Sequence, residues 1–329
     1  MAVPVASVAI LGTGSYLPDR VVSNDEAGAG ANVDDAWIAG KTAIRERRWA
    51  APEQATSDLA TAAARAALES AGIAASELTA IVVATSTPDR PQPPTAAYVQ
   101  RDLGAYRAAA FDVNAVCSGF VFALATVESM LARSGGHALV IGADLYSRIL
   151  NPADRRTVVL FGDGAGAVVL GPATPGRGIR SHALHTFGEL ADLIEVPAGG
   201  SRQPGGPDTH EAGLHYFTMN ARGVREFVAE RLPGLIKQFV HDAGAVPADI
   251  RHVVPHQANG VLLDQVAAEL DLPRATVHQT VARYANTGAA SIPITLDVAA
   301  RAGKLQPGES ILLAGFGGGM AAGFALVDW

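Results

Sequence analysis

Short unbroken apolar runs alternate along this chain with longer stretches in which Ala and Leu recur at helical spacing. Residues 80–85, AIVVAT, and 138–143, ALVIGA, are apolar at nearly every position, not at every second one. Runs of that kind are strands buried on both faces, as in a sheet lying between layers of helix. Residues 55–72, ATSDLATAAARAALESAG, open on Thr and Ser, close on Gly and carry an Ala/Leu face, which predicts a helix between those limits. Strand and helix follow one another in both halves of the chain, and the fold class that results is α/β.

The pattern also repeats. Residues 69–84, ESAGIAASELTAIVVA, resemble residues 241–256, HDAGAVPADIRHVVPH, so that 69 aligns with 241 at an offset of 172. Each reads as a helix end, an A-G turn and a buried strand. Carrying that offset forward sets DVNAVCSGF (112–120) against YANTGAASI (284–292), with Asn114 on Asn286 and Cys117 on Ala289. A second echo pairs FGDGAGAVVL (161–170) with FGGGMAAGFAL (316–326); its offset, from 161 to 316, is only 155, so the second half has lost residues between the two matches. Two duplicated halves are expected, 1–172 and 173–329, joined in the Pro/Gly-rich GPATPGRG at 171–178. The irregular PAGGSRQPGGPDTHEAG at 197–213 reads as an exposed loop or flap.

Composition narrows the function. With 49% hydrophobic but only 6% aromatic residues, the cores must be built from Ala, Val, Leu and Ile. A net charge of −7 offers no footprint for nucleic acid. No apolar run approaches the roughly 20 residues of a membrane span, and the N-terminal MAVPVASVAILGTG reads as a first strand, not a signal peptide. The single cysteine excludes an intramolecular disulfide, and a cytoplasmic setting is expected.

That cysteine is also the first candidate for chemistry. Cys117 follows the strand-like FDVNAV and precedes a helix with Phe120, Val121, Leu124, Val127 and Leu131 on its apolar face. The sulfur therefore sits at a helix N-terminus, where free N–H groups and the helix dipole lower a thiol pKa. Its alternative is a small inert core residue. His256, in VVPHQANG, closes a buried strand at the end where α/β sheets bind ligands, or else caps the next helix as a structural histidine. Asn286, in RYANTGAAS, stands at the second half's equivalent of the Cys117 corner, or is a plain N-cap. The glycine runs FGDGAG and GFGGGM lack the GK[ST] of a phosphate loop and feed strands. No histidine has metal-ligand spacing, so no metal is expected. If the halves are related by a pseudo-twofold axis, Cys117 faces His256 and Asn286 across one pocket, an arrangement suited to acyl transfer.

Those residues carry a resemblance. LGTGSYLPDRVVSN, FDVNAVCSGF, LFGDGAGAVVLG, VPHQAN, YANTGAAS and AGFGGGMAAGFALVDW, in that order, make the chain similar to the β-ketoacyl-acyl carrier protein synthase III group of the thiolase superfamily over nearly its full length. The resemblance implies a five-layered αβαβα thiolase-like fold, a homodimer and a two-step reaction. Cys117 would take an acyl group from acyl-coenzyme A. Backbone N–H groups of Cys117 and of the Gly317, Gly318, Gly319 loop would hold the oxyanion. His256 and Asn286 would then stabilise the enolate formed when malonyl-acyl carrier protein loses carbon dioxide, and the β-ketoacyl product would start a fatty-acid or polyketide chain. Coenzyme A and phosphopantetheine thioesters enter as substrates, with no cofactor. Trp37 would stack on the adenine of coenzyme A, with Arg155 near its phosphates and Lys41 where relatives carry Arg.

Two departures from the family pattern bear on specificity. Gln92, in TPDRPQPPT, aligns with a Phe that relatives contribute across the dimer to the acyl pocket. The carrier-docking helix after HQAN reads GVLLDQVAAEL, acidic at Asp264 and Glu269 and without a basic residue, which leaves Arg222 and Arg225 as substitutes or coenzyme A esters on both sides. Two other readings stand beside the condensing enzyme: an acyltransferase moving the acyl group from Cys117 to an alcohol or amine, and a silent partner subunit.

Overall fold

The computed structural model describes residues 7–329. Ten of its strands build two five-stranded sheets. The first contains β1 (Val8–Tyr16), β2 (Leu78–Ala84), β3 (Ala109–Val113), β4 (His137–Leu145) and β5 (Asp163–Pro172), in the order β1-β5-β4-β2-β3. The second contains β6 (Gly178–Thr186), β7 (Ile250–Pro255), β8 (Thr276–Val277), β9 (Ser310–Gly317) and β10 (Ala321–Asp328), in the order β6-β10-β9-β7-β8. Directions repeat as well as order. The β3-β2-β4 and β8-β7-β9 ladders are parallel, and the two remaining pairings of each sheet are antiparallel.

Helices fill three layers around these sheets. Helices α1 (Thr56–Ala71) and α2 (Thr95–Leu103) cover the outer face of the first sheet. Helices α3 (Gly119–Ser134) and α7 (Ser291–Arg301) lie between the two sheets. Helices α4 (Ala221–Glu230), α5 (Leu232–Asp242) and α6 (Gly260–Ala268) cover the outer face of the second. The unbroken apolar runs now have their explanation. Along β4, Leu139 and Ile141 point into the outer core while Ala138 and Val140 point into the central one. Helix α1 begins and ends at its signals: Asp58 accepts the Ala55 N–H at 2.8 Å, and Gly72 turns the chain at φ +66°. The stretch Val116–Ser134 is long and apolar enough to cross a membrane by composition, and it is the helix buried between the sheets.

The 172 offset extends into three dimensions. It carries β2 onto β7, the turn Val116–Ser118 onto Gly288–Ala290, and the start of α3 onto that of α7. The 155 offset needs correction. Register pairs Gly142 with Gly166 and, in the other half, Gly315 with Gly323, so 166 corresponds to 323 at an offset of 157. The two FG dipeptides are not equivalent: Phe161 lies before β5, whereas Phe316 lies inside β9. The lost residues are those linking the fourth and fifth strands of each half, 146–162 in the first and only 318–320 in the second.

The halves touch where a side chain would not fit. A Cβ on Gly142 would lie 2.2 Å from the Ala289 carbonyl oxygen and 3.1 Å from the Ala290 Cα; its counterpart on Gly315 would lie 3.1 Å from the Ser118 Cα. Each half's fourth strand thus seats the other half's strand-to-helix corner. Gly142→Ala is expected to lower unfolding stability by about 3 kcal/mol or more, since a core this close has no room to yield. Gly188→Ala, where nothing lies within 4 Å, serves as the neutral control. Equal melting temperatures for the two variants would show that the halves are not held at this contact.

Candidate active site

Cys117 lies in the tight turn Val116–Ser118, immediately before α3. The turn bends sharply enough to put Val116 at φ +47°, a conformation a β-branched residue adopts only under constraint. His256 follows the last residue of β7, and its N–H donates to the Ala314 carbonyl at 2.8 Å. Asn286 is stitched to the first half: its N–H donates to the Leu160 carbonyl at 2.9 Å, and its carbonyl accepts the Gly162 N–H at 3.0 Å. Ala285, just before it, is held at φ +56°.

One tunnel of about 510 Å³ connects these residues to the surface, with Cys117, His256, Asn286 and Gly317 all on its wall. The three side chains are at most 6% exposed. Apolar residues such as Val159, Ile194, Phe217 and Met219 line the passage, and Trp37, Lys41, Arg155, Arg156 and Arg225 line it with cations and an indole. The cations are solvent-exposed and mark the mouth. A chain of net negative charge therefore gathers positive charge at the mouth of the tunnel that reaches its thiol.

Hydrogen bonds orient the two polar groups opposite the thiol. The Asn286 Oδ1 accepts the Gly288 N–H at 2.9 Å, so its amide nitrogen is the end left for a ligand. The His256 Nδ1 lies 2.7 Å from the Ser291 hydroxyl, so Nε2 is its outward nitrogen. Burial holds His256 down to about 3, and the ring is neutral throughout the physiological range.

The thiol differs from the sequence expectation. Burial pushes Cys117 up to about 12, with the nearby Asp144 carboxylate adding to the rise. The Tyr146 hydroxyl and the N–H groups of Gly318 and Cys117 favour the thiolate, but only partly offset that loss of solvation. A helix N-terminus alone does not set a thiol's pKa when the sulfur is buried.

The glycine loop has a division of labour. A Cβ on Gly317 would lie 2.5 Å from the Cys117 Cβ, so that position must be bare; Gly318 brings its N–H to the sulfur; Gly319 makes the turn at φ +74°. Arg155 sits over the Trp37 ring at 5.8 Å from its centroid, a stacking position at the tunnel mouth. Arg225 reaches the tunnel mouth, whereas Arg222 is exposed and paired with Glu226 at 2.8 Å. Gln92 lies on an exposed loop and does not line this chain's tunnel. Among the described residues, no group of three His, Cys, Asp or Glu side chains is placed to hold a metal.

Sequence reasoning missed Arg156, Tyr146, Asp144 and Ser291. The first three lie on or beside the 146–162 link, which has no counterpart of its length in the second half and no periodicity to read. Tyr146 stacks on Phe161 at 4.3 Å between ring centroids. Asp144, fully buried, accepts the Ala289 N–H at 2.8 Å on one oxygen and three hydroxyls and the Ser86 N–H on the other.

Comparison with known proteins gives this geometry its setting. Residues 111–188 match the family model 3-Oxoacyl-[acyl-carrier-protein (ACP)] synthase III, and residues 240–329 match the model of its C-terminal part. The chain is 70% identical over 322 residues to an acetoacetyl CoA synthase, NphT7, of Streptomyces sp. (strain CL190), covering 97% of this chain and 98% of that protein. It is 43% identical over 323 residues to a beta-ketoacyl-[acyl-carrier-protein] synthase III of Roseiflexus sp. (strain RS-1), covering 98% of each. The crystal structure of 3-oxoacyl-[acyl-carrier-protein] synthase III from Aquifex aeolicus VF5 superposes with a TM-score of 0.89 at 35% identity, covering 98% of this chain and 100% of that one. The priming β-ketosynthase of the R1128 polyketide pathway does so with a TM-score of 0.91 at 31% identity, covering 100% and 98%. The chain belongs to the β-ketoacyl-acyl carrier protein synthase III family, condensing enzymes of the thiolase superfamily.

Proposed function

We propose that the chain joins an acyl group loaded on Cys117 to a malonyl thioester by decarboxylating condensation, and that coenzyme A carries both substrates. The observation that supports the chemistry is the convergence of Cys117 with two outward N–H donors, on His256 and Asn286, in one tunnel. The Cys117 sulfur attacks the acyl-coenzyme A carbonyl, whose oxygen takes the charge beside the N–H groups of Cys117 and Gly318. Because Cys117 starts as a thiol, its proton leaves as the C–S bond forms and ends on the departing coenzyme A sulfur. The malonyl thioester then enters. Its carboxylate leaves as carbon dioxide, the electron pair of that C–C bond forms an enolate, and the enolate oxygen is held by His256 and Asn286. The enolate carbon attacks the acyl-Cys117 carbonyl and expels the cysteine as a thiolate, which takes a proton from solvent as the product leaves, and no prosthetic group is needed at either step.

The choice of coenzyme A rests on the mouth. Its cations, Lys41, Arg155, Arg156 and Arg225, and the Trp37 ring suit a phosphorylated adenine nucleotide. Helix α6 beside it, where an acidic carrier protein would dock, bears Asp264 and no basic residue. The name of the 70% identical relative, an acetoacetyl CoA synthase, points the same way. A carrier protein steered by Arg222 and Arg225 is the competing reading. The half-exposed edge strand β3, with Phe111 and Val113, supports a homodimer formed there, through which Gln92 would reach a partner's tunnel. Light scattering that reports a monomer at micromolar concentration counts against that dimer. Coenzyme A thioesters and a free thiol agree with a cytoplasmic setting.

Intact-mass measurement should show an acetyl adduct on Cys117 after acetyl-coenzyme A, and its discharge with carbon dioxide release on adding malonyl-coenzyme A. Discharge by malonyl-acyl carrier protein alone would overturn the choice of carrier; transfer to an alcohol or amine without carbon dioxide would overturn the condensation. His256→Ala and Asn286→Ala should still form the adduct but release carbon dioxide about 100-fold more slowly.

Alkylation of Cys117 by iodoacetamide should accelerate about tenfold per pH unit from pH 7 to 10 without levelling, because only the thiolate reacts and its pKa lies near 12. A plateau near pH 8 would mean that the helix N-terminus outweighs burial after all.

A further inference from the structure

We propose that Ser291 fixes His256 as the tautomer that carries its proton on Nε2, and is thereby a positioning residue for the decarboxylation step. The inference deepens the reading of His256 as a donor to the enolate and rests on it for its functional consequence.

The hydrogen-bond inventory carries the argument. The Ser291 Oγ lies 2.7 Å from the His256 Nδ1 and accepts the Gln257 N–H at 3.3 Å. Both side chains are 1% exposed, so water is no alternative partner. A hydroxyl has one proton to give, and among the described residues the Nδ1 lone pair is the acceptor that Oγ meets. With Nδ1 accepting, the neutral ring must hold its proton on Nε2. The opposite tautomer would crowd two N–H donors onto Oγ, strand the hydroxyl proton in a dry site, and turn a bare Nε2 lone pair toward an enolate oxygen that needs a donor. Phe316 meets the ring edge-on, 5.2 Å between centroids at 77°, which keeps the plane of the imidazole where this bond requires it.

A second observation is independent of that geometry. At the offset of 172, His256 corresponds to Ala84 and Ser291 to Gly119. The first half packs those two positions together as well: a Cβ on Gly119 would lie 3.3 Å from the Ala84 Cβ. The same contact is therefore built twice, as methyl against glycine in one half and as imidazole against hydroxyl in the other. Serine stands where the imidazole needs an oriented partner, and its counterpart is glycine where there is nothing to orient.

The test combines a spectroscopic and a kinetic readout on the full chain. Nitrogen-15 NMR of histidine-labelled protein at pH 7, with His256 assigned by the loss of its signals in His256→Gln, should show a protonated Nε2 and a bare Nδ1. In Ser291→Ala a second tautomer should appear. Carbon dioxide release at saturating malonyl-coenzyme A should fall about tenfold in Ser291→Ala, with KM and the rate of Cys117 acetylation each within about twofold of the parent. A proton on Nδ1 in the unaltered protein overturns the proposal, as does an equal fall in acetylation and decarboxylation, which would mark Ser291 as a packing residue only. If the unaltered protein releases no carbon dioxide, the reading of His256 as an enolate donor fails, while the NMR spectra still decide whether Ser291 sets the tautomer.

Discussion

Everything at the site depends on how closely two backbones approach. Each half lays the central strand of its sheet, β4 or β9, against the strand-to-helix corner of the other half, at Gly142 beneath Ala289 and Ala290 and at Gly315 beneath Ser118. A second tier repeats the arrangement, with Gly166 under Pro293 and Gly323 under Val121. Glycine at these four positions lets α3 and α7 share a single layer between the sheets. Without that closeness, Cys117 at one corner and Asn286 at the other would belong to separate cavities. The buried Ala-rich interior follows from the same constraint, since small residues allow helices and sheets to close at short range.

The frame is symmetric and its chemistry is not, which shows how one corner became a nucleophile's seat. Register makes Asp144 of β4 the counterpart of Gly317 of β9. In the second half's corner, the Asp144 carboxylate accepts the N–H of Ala289, the residue equivalent to Cys117. In the first half's corner, Gly317 supplies no side chain, and the space its Cβ would occupy lies 3.1 Å from the Cys117 nitrogen. One corner thus has its amide satisfied by an internal carboxylate; the other has none, and in the proposed reaction its amide is left to a developing oxyanion. Cys117 against Ala289, Ala84 against His256 and Gly119 against Ser291 continue the series. Each exchange removes a function from one corner or adds it to the other, and the glycine contacts beneath stay the same.

The frame was legible in the sequence because duplication writes it twice. The offset of 172 located the paired strands and the paired turns without a structure, while Cys117, His256 and Asn286 were legible from their places at strand ends and strand-to-helix corners and from the family resemblance. Three features were hidden, for different physical reasons. The link 146–162 is irregular and has no long counterpart, so no periodicity revealed Tyr146 or the stacking of Arg155 on Trp37. Strand register decides which glycines are equivalent, and short Gly/Ala strings align about as well two residues out of place, hence 155 in place of 157. The thiol's burial is a tertiary property: a helix N-terminus can be read from Ser-Gly spacing, but the exclusion of water from it cannot.

That exclusion of water is what makes the two buried groups serve opposite needs. Both Cys117 and His256 are driven by burial to their neutral forms, one up to about 12 and the other down to about 3. For His256 neutrality is the useful state, since a ring with one N–H can donate to an enolate without protonating it outright. For Cys117 neutrality is a barrier that, in the proposed reaction, the incoming thioester lowers, because oxyanion and departing coenzyme A sulfur together accept the charge and the proton. A thiol that ionises only as it attacks is also protected from casual alkylation and oxidation while the tunnel is empty. A site that stabilised the thiolate in advance would lose that protection and would hold an anion where the malonyl carboxylate must next be accommodated. Burial therefore keeps both groups neutral at the inner end of a tunnel whose cations, at its mouth, meet each anionic substrate first.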